Sequence, residues 1–441
     1  MLCWVSNRNP TGIRCLVTLL FLMKPMPITT LGEATFPSPR IADKSCDVLI
    51  PADIQWSAGN LPDDLILFEK ACPREKLFFN PGNTRAAIVT CGGLCPGLNN
   101  VIRSVTRELL LGYGVPSVLG IRSGYRGLDP ASGKTPIELT EDVVEEIHKK
   151  GGTLLGTSRG PVDPGVAVDF LIANKIDILF TVGGDGTQRG GHAIYKEAAR
   201  RGHPLSVVGI PKTIDNDVNY VSRTFGFVTA VDEAVRVIDS AHTEARSVDN
   251  GVSLVKLMGR HAGFIAAAAT VASQDVNFCL VPEQKFSPEC LFDALEKRLQ
   301  RKNHAVIVVA EGAGEELLEG TGEKDASGNT ILGNIGHFLR DAINRHFRER
   351  KIEMTLRYFD PSYLIRGCPA NTEDALLCDR MGRHAVHAAM SGRTGLVIGF
   401  LHGQFVHVPI DLITAGSKRL DPDGELWSAV LSTTRQPSLF C

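Results

Sequence analysis

Two apolar runs, each ending in a loop that carries carboxylates, hold the groups best suited to chemistry. Ile178-Leu179-Phe180-Thr181-Val182 leads into Gly183-Gly184-Asp185-Gly186-Thr187, and the run 205–210 leads into Pro211-Lys212-Thr213-Ile214-Asp215-Asn216-Asp217. Glycines let backbone N–H groups close on a phosphate, while a carboxylate can hold a metal ion or take a proton. Ligands of an open α/β sheet bind outside the carboxyl ends of its strands, so both loops are expected to face one crevice. Asp215 and Asp217 alone would read equally well as turn residues. Beside a second glycine–carboxylate loop one strand earlier, they point to phosphoryl transfer onto a small phosphorylated hydroxyl compound.

Further candidates stand where other apolar runs stop. Ala86-Ala87-Ile88-Val89-Thr90 is followed by Cys91-Gly92-Gly93-Leu94-Cys95-Pro96-Gly97-Leu98-Asn99-Asn100, and Asn99 or Asn100 is expected to cap a helix with Ile102, Val105 and Leu109 inward. This loop can present helix-end amides to a phosphate, but it departs from the dinucleotide fingerprint GxGxxG. The glycine-rich turn 151–160 carries Arg159, whose planar fork can clamp a polyphosphate. The run 251–257 ends at Met258-Gly259-Arg260, the run 305–310 at Glu311, and Arg357, Tyr363 and Arg366 come later. Met258 would ordinarily be core, and the histidines show no ligand spacing.

These loops need a scaffold of buried strands. Runs at 86–90, 118–121, 178–182, 205–210, 251–257, 278–281, 305–310, 396–400 and 405–409 read as strands, with helical patterns between most of them. Ser287 and Thr372 are expected helix caps, and 315–334 is a polar surface excursion. The alternation indicates an α/β fold of mainly parallel sheets. Roughly 350 residues of it exceed one comfortable core, which predicts two lobes with a cleft between them.

The chain of 441 residues has a net charge of −2, which gives no reason to expect nucleic-acid or membrane-surface binding. Its 11 cysteines form no CxxC pair, and reduced thiols are expected. Cys15-Leu16-Val17-Thr18-Leu19-Leu20-Phe21-Leu22-Met23 is apolar, with Arg8 and Arg14 before it and no acidic residue ahead of Glu33. It is shorter than the about 20 residues that span a bilayer. It reads as a signal or transit segment, or else as an arm packed on the body. Residues 25–82 read as an irregular arm. The cytoplasm is the expected location, and a plastid or other organelle the alternative.

Gly183–Thr187, Pro211–Asp217 and Met258-Gly259-Arg260, in this order, resemble the 6-phosphofructokinase family, with the match running from about Arg85 to Trp427. The first loop, PKTIDND and VKLMGR are most similar to the plant and trypanosomatid branch of ATP-dependent enzymes. The resemblance implies two Rossmann-like lobes: 83–226 plus 365–430 for ATP, and 227–364 for fructose 6-phosphate, with 1–82 as an extension. It implies that Gly93, Arg159, Gly160, Gly184, Asp185, Gly186 and Thr187 line ATP and that Asp185 holds Mg²⁺. Asp215 would be the general base for the sugar's 1-hydroxyl, with Asp217 assisting. Thr213, Ile214, Met258, Gly259, Arg260, Glu311, Tyr363 and Arg366 would surround the sugar phosphate, with Arg357 lent by a neighbouring subunit of a homotetramer.

Two departures bear on specificity. Lys212 is the residue of pyrophosphate-dependent members, but those carry aspartate where this chain has Gly186. An aspartate would crowd the α-phosphate of ATP, so Gly186 favours ATP over the pyrophosphate alternative. Asn250-Gly251 stands where bacterial relatives have a substrate-binding arginine. Family members are allosteric, yet the bacterial effector-site residues lack clear counterparts, so no effector site is carried over. The alternative from another class is a non-catalytic subunit that binds nucleotide or sugar phosphate. An NAD kinase, which shares GGDGT, lacks PKTIDND and MGR.

Overall fold

The computed structural model describes residues 25–53, 65–318 and 333–437. The apolar run 15–23 and residues 319–332 of the polar excursion lie outside the described residues. In chain order the main strands are β1 (Arg85–Thr90), β2 (Ser117–Ile121), β3 (Ile137–Glu138), β4 (Ile178–Gly183), β5 (Ser206–Pro211) and β6 (Gly251–Leu257). Then come β7 (Phe278–Leu280), β8 (His304–Ala310), β9 (Thr355–Phe359), β10 (Leu396–Leu401) and β11 (Gln404–Pro409). The helices that bear on the site are α1 (Leu98–Arg107), α2 (Asp185–Arg200), α3 (Phe227–Arg246), α4 (Phe264–Ser273), α5 (Pro288–Lys302), α6 (Leu364–Gly367) and α7 (Thr372–Met390).

The protein is an α/β fold of two lobes, each built on a mainly parallel sheet. The larger sheet has the order β11-β10-β5-β4-β1-β2-β3. Its strands from β10 to β2 run parallel, and β11 and β3 close the edges antiparallel. Every residue of β4 and β5 is buried, as expected of strands covered on both faces. Register matters more than order here. Thr90 pairs with Val182, Val182 with Ile210 and Gly183 with Pro211, so the loops after β1, β4 and β5 leave the sheet at one level. The strand order reverses between β4 and β1, which is where such a sheet opens a crevice.

The smaller sheet, β7-β8-β6-β9, is parallel throughout. Leu257 pairs with Ala310, so the loops carrying Met258-Gly259-Arg260 and Glu311 also leave side by side. One buried apolar cluster joins both lobes: Ile88, Phe180 and Ile210 of the larger sheet share it with Val255, Leu257 and Val308 of the smaller. Ala234, Ile238 and Ala241 of α3 belong to the same cluster. The two sheets therefore share one close-packed interior.

Several local expectations need correction. Gly97, not Asn99 or Asn100, precedes α1, in a left-handed conformation at φ 102°. Asn99 instead uses its amide on the 150–155 turn, accepting from Leu154 N–H at 2.8 Å and donating to Lys150 O at 3.0 Å. Asn371 rather than Thr372 caps α7, while Ser287 does cap α5. Strand β9 was not expected, because its half-buried mixture of Thr355, Arg357 and Tyr358 makes no apolar run.

The described part of 25–82 is paired rather than irregular. Thr29–Thr30 pairs with Arg393–Thr394, and Leu49–Pro51 pairs with Leu67–Glu69. Cys46 and Cys72, brought together by that second pair, form a disulfide, contrary to the expected reduced thiols. Cys91, Cys95, Cys279, Cys368 and Cys378 are free thiols. Among the described residues no helix is long and apolar enough to cross a membrane.

Candidate functional site

Three loops of the larger sheet form one wall. Gly92 N–H donates to Ser158 O at 3.1 Å, and Thr157 Oγ1 donates to Gly92 O at 2.6 Å. These bonds hold Thr157 and Ser158, just ahead of Arg159 and Gly160, against Gly92. Gly184 precedes α2, whose first residue is Asp185, so helix-end amides open toward the same space. Thr187 is buried, its carbonyl accepts from Tyr125 Oη at 2.6 Å, and its side chain lies against Gly183. Gly186 is exposed, and a Cβ there would meet nothing within 4 Å. Lys212 is buried, 7% exposed, and its Nζ donates to Gly93 O at 2.8 Å. Burial lowers the proton affinity of that ammonium, with Cys95 and Cys91 opposing.

The carboxylates stand between the walls. The side chain of Thr213 accepts from Asp215 N–H at 3.1 Å, and Thr224 Oγ1 donates to Thr213 O at 2.8 Å. Asn216, at φ 56°, accepts from Thr224 N–H at 3.0 Å. These bonds fix the turn that aims Asp215, while Ile214 is buried beneath it. Asp215 Oδ1 is buried with no hydrogen-bond partner. Its proton affinity is pushed up to about 8, first by burial and then by the charges of Asp217 and Glu311, with Lys212 and Arg366 opposing. Asp185 is raised as well, by burial and by Asp217, with Arg189 opposing. Asp217 therefore acts on both other acids.

This donor set fits a divalent cation, which would relieve a crowded carboxylate group. Among the described residues no three His, Cys, Asp or Glu side chains converge to hold a metal by themselves. An ion here would draw its remaining ligands from phosphates and water, as Mg²⁺ does.

The second wall comes from the smaller sheet. Glu311 N–H donates to Leu257 O at 2.9 Å and Gly312 N–H to Gly259 O at 3.0 Å, zipping the Arg260 loop to the Glu311 loop. Gly259 sits at φ 123°, and a Cβ on Gly312 would overlap the Arg260 carbonyl. Met258 packs partly buried against the main core. Tyr363 is 77% exposed, and the Arg366 guanidinium lies 4.7 Å from its ring centroid. Arg366 also approaches the first wall, since a Cβ on Gly93 would lie 3.3 Å from its Nη1.

Asp185, Asp215, Asp217, Lys212, Gly93, Glu311 and Arg366 thus converge from both lobes. Arg357 does not join them; it is exposed on β9, with Nε 3.8 Å from Glu244 Oε2. Sequence reasoning missed Gln188, a buried amide donating to Gly183 O at 2.9 Å and Ile210 O at 3.3 Å, which ties the ends of β4 and β5 together. A glutamine on the first turn of a helix, facing inward, was the available signal.

The sequence profile of the family described as Phosphofructokinase matches residues 85–389. The chain is 48% identical over 382 residues to an ATP-dependent 6-phosphofructokinase of Borreliella burgdorferi, covering 84% of this chain and 86% of that one. It is 48% identical over 387 residues to the enzyme of that name from Trypanosoma brucei brucei, covering 87% and 80%. It is 46% identical over 379 residues to ATP-dependent 6-phosphofructokinase 7 of Arabidopsis thaliana, covering 85% and 78%. Among solved structures, a pyrophosphate-dependent phosphofructokinase from Marinobacter aquaeolei superposes with a TM-score of 0.67 at 19% identity, covering 81% of this chain and 93% of that one. Phosphofructokinase of Pichia pastoris in the T-state gives 0.63 at 25% identity, covering 80% and 37%.

Proposed function

The chain belongs to the phosphofructokinase family, and we propose that it transfers the terminal phosphate of ATP to the 1-hydroxyl of fructose 6-phosphate. The observation that carries this reading is Asp215, a half-buried residue whose Oδ1 is sealed from solvent without a hydrogen-bond partner and which feels the charges of Asp217, Glu311, Lys212 and Arg366. In the step, the sugar's 1-oxygen bonds to the terminal phosphorus, the bond to the ADP oxygen breaks, and the hydroxyl proton passes to Asp215. A carboxyl whose proton affinity lies near working pH suits that task, a contribution typically of about 10²–10⁴. The rest of the catalysis is positioning and charge neutralisation.

Residues 83–226 with 365–430 would hold ATP, through Gly93, Arg159, Gly160, Gly184, Gly186 and Thr187. Mg²⁺, when bound, would neutralise the donor's phosphates, held by Asp185 with Asp217 assisting. Residues 227–364 would hold the sugar phosphate through Met258, Gly259, Arg260, Glu311 and Tyr363, with Thr213, Ile214 and Arg366 at the junction. Arginines suit the phosphate because their fork binds its oxygens in pairs. Arg357, exposed and away from the cleft, fits a residue lent to a neighbour in a homotetramer. The cytoplasm is the compartment we propose.

ATP rather than pyrophosphate is favoured by the open space at Gly186 and by relatives near half identity that bear the ATP-dependent name. The neighbours named pyrophosphate-dependent share the fold at 19% and 17% identity. Purified chain given fructose 6-phosphate, Mg²⁺ and either ATP or pyrophosphate, with products read by phosphorus NMR, tests the reading. Fructose 1,6-bisphosphate formed from ATP supports it. Product from pyrophosphate alone, or binding without product from either donor, overturns it.

A further inference from the structure

Segment 416–420, far along the chain from either loop, ties the carboxylate loop of one lobe to the Arg260 loop of the other. Ser417 makes an isolated antiparallel bridge to Val218, and Lys418 N–H donates to Asp217 O at 2.8 Å. Lys418 Nζ donates to Val221 O at 2.8 Å and Ser222 O at 3.2 Å, and stands 5.1 Å from the Phe264 ring centroid. One lysine therefore holds the backbone on the carboxyl side of Asp217 at three points. Two residues on, Leu420 is buried and its N–H donates to Glu283 Oε1 at 2.8 Å. The same carboxylate accepts from Gly263 N–H at 3.0 and 3.1 Å, just ahead of α4 and three residues beyond Arg260.

We propose that 416–420 is a strap that sets the spacing between the two halves of the site, with Lys418 the positioning residue for Asp215 and Asp217 and Glu283 the anchor for the Arg260 loop. Lys418 Nζ is engaged by Val221 O and Ser222 O, so it acts through the 217–222 backbone. Its ammonium is pushed down to about 8 by burial, with Asp217 opposing. Small displacements of a positioned carboxylate are costly to turnover, so a loosened strap is read in kcat before it is read in folding. The catalytic part of this inference rests on the proposed kinase reaction, while its structural part does not.

Two measurements on the full chain separate the two. In amide hydrogen exchange, Lys418→Met speeds exchange over 215–222 by about tenfold while β4 and β5 keep their protection. Unchanged exchange over 215–222 overturns the strap whether or not the chain is a kinase. In kinetics, per folded active site, Lys418→Met lowers kcat about tenfold or more with the KM for ATP within about twofold, and Lys418→Arg restores most of it. Glu283→Ala chiefly raises the KM for the sugar phosphate. A Lys418→Met chain with wild-type kcat, or a loss tracking only the unfolded fraction and not rescued by arginine, sinks the positioning role. Wild-type chain inactive with either donor fails the kinase reading alone.

Discussion

Lys212 Nζ donates to the carbonyl of Gly93 at 2.8 Å, joining the loop after β5 to the glycine loop after β1. A lysine so engaged braces the donor wall instead of filling it, and Gly186 leaves the neighbouring space open. A Cβ at 186 would meet nothing within 4 Å, so an aspartate there would start into open space and face the donor's phosphates. Gly186→Asp is expected to lower kcat/KM for ATP about 100-fold with an unchanged melting temperature, since like charges brought together cost several kcal/mol. Steady-state kinetics and a thermal melt check this together.

Lys212→Gly removes the brace and leaves Gly93 O without its donor. The expected result is a KM for ATP raised about tenfold, with a smaller change in the KM for fructose 6-phosphate, from the cost of an unmade buried bond. Equal changes in both would show that the lysine serves the whole cleft.

Asp215 also makes stability depend on pH. Its folded proton affinity is raised from 3.8 to about 8, so the native chain keeps a proton that the unfolded chain releases. The stability this contributes is fully present below the unfolded value near 3.8 and is lost as pH rises through about 8. Asp185 works in the same direction. Asp215→Asn is expected to be more resistant to urea than the wild type at about pH 8.5 and to differ little at about pH 4, measured without ligands.

Gly312 has no room for a Cβ, since the Arg260 carbonyl oxygen lies where it would stand. Gly312→Ala should push the Arg260 and Glu311 loops apart, costing about 1–3 kcal/mol of stability. The KM for the sugar phosphate should rise about tenfold while the KM for ATP holds. Paired melts and substrate titrations decide it.

What could be read from the sequence followed burial. Ile178 to Val182 and Val207 to Ile210 are covered on both faces, so they appear as unbroken apolar runs and their strands were placed within a residue or two. The loops after them could be found because glycine and carboxylate types carry chemistry wherever they sit. Edge strand β9 escaped because half-buried strands with Arg357 outward make no such run. The α1 cap escaped because Asn99, a good cap by type, is committed to Lys150 O and Leu154 N–H instead. Lys418 and Glu283 left no local signal at all, since each matters only through backbone groups far away in the chain. The Cys46–Cys72 bond likewise depends on a strand pair in the arm that too few residues form to announce itself.

The most direct test of Asp215 as the group that takes the sugar's proton is turnover of Asp215→Asn beside calorimetric binding of a non-hydrolysable ATP analogue and of fructose 6-phosphate. The amide fits the same turn but accepts no proton, so kcat should fall by about 10²–10⁴ with both Kd values within about threefold of wild type. A variant that binds both ligands and turns over within about threefold of wild type would contradict the assignment.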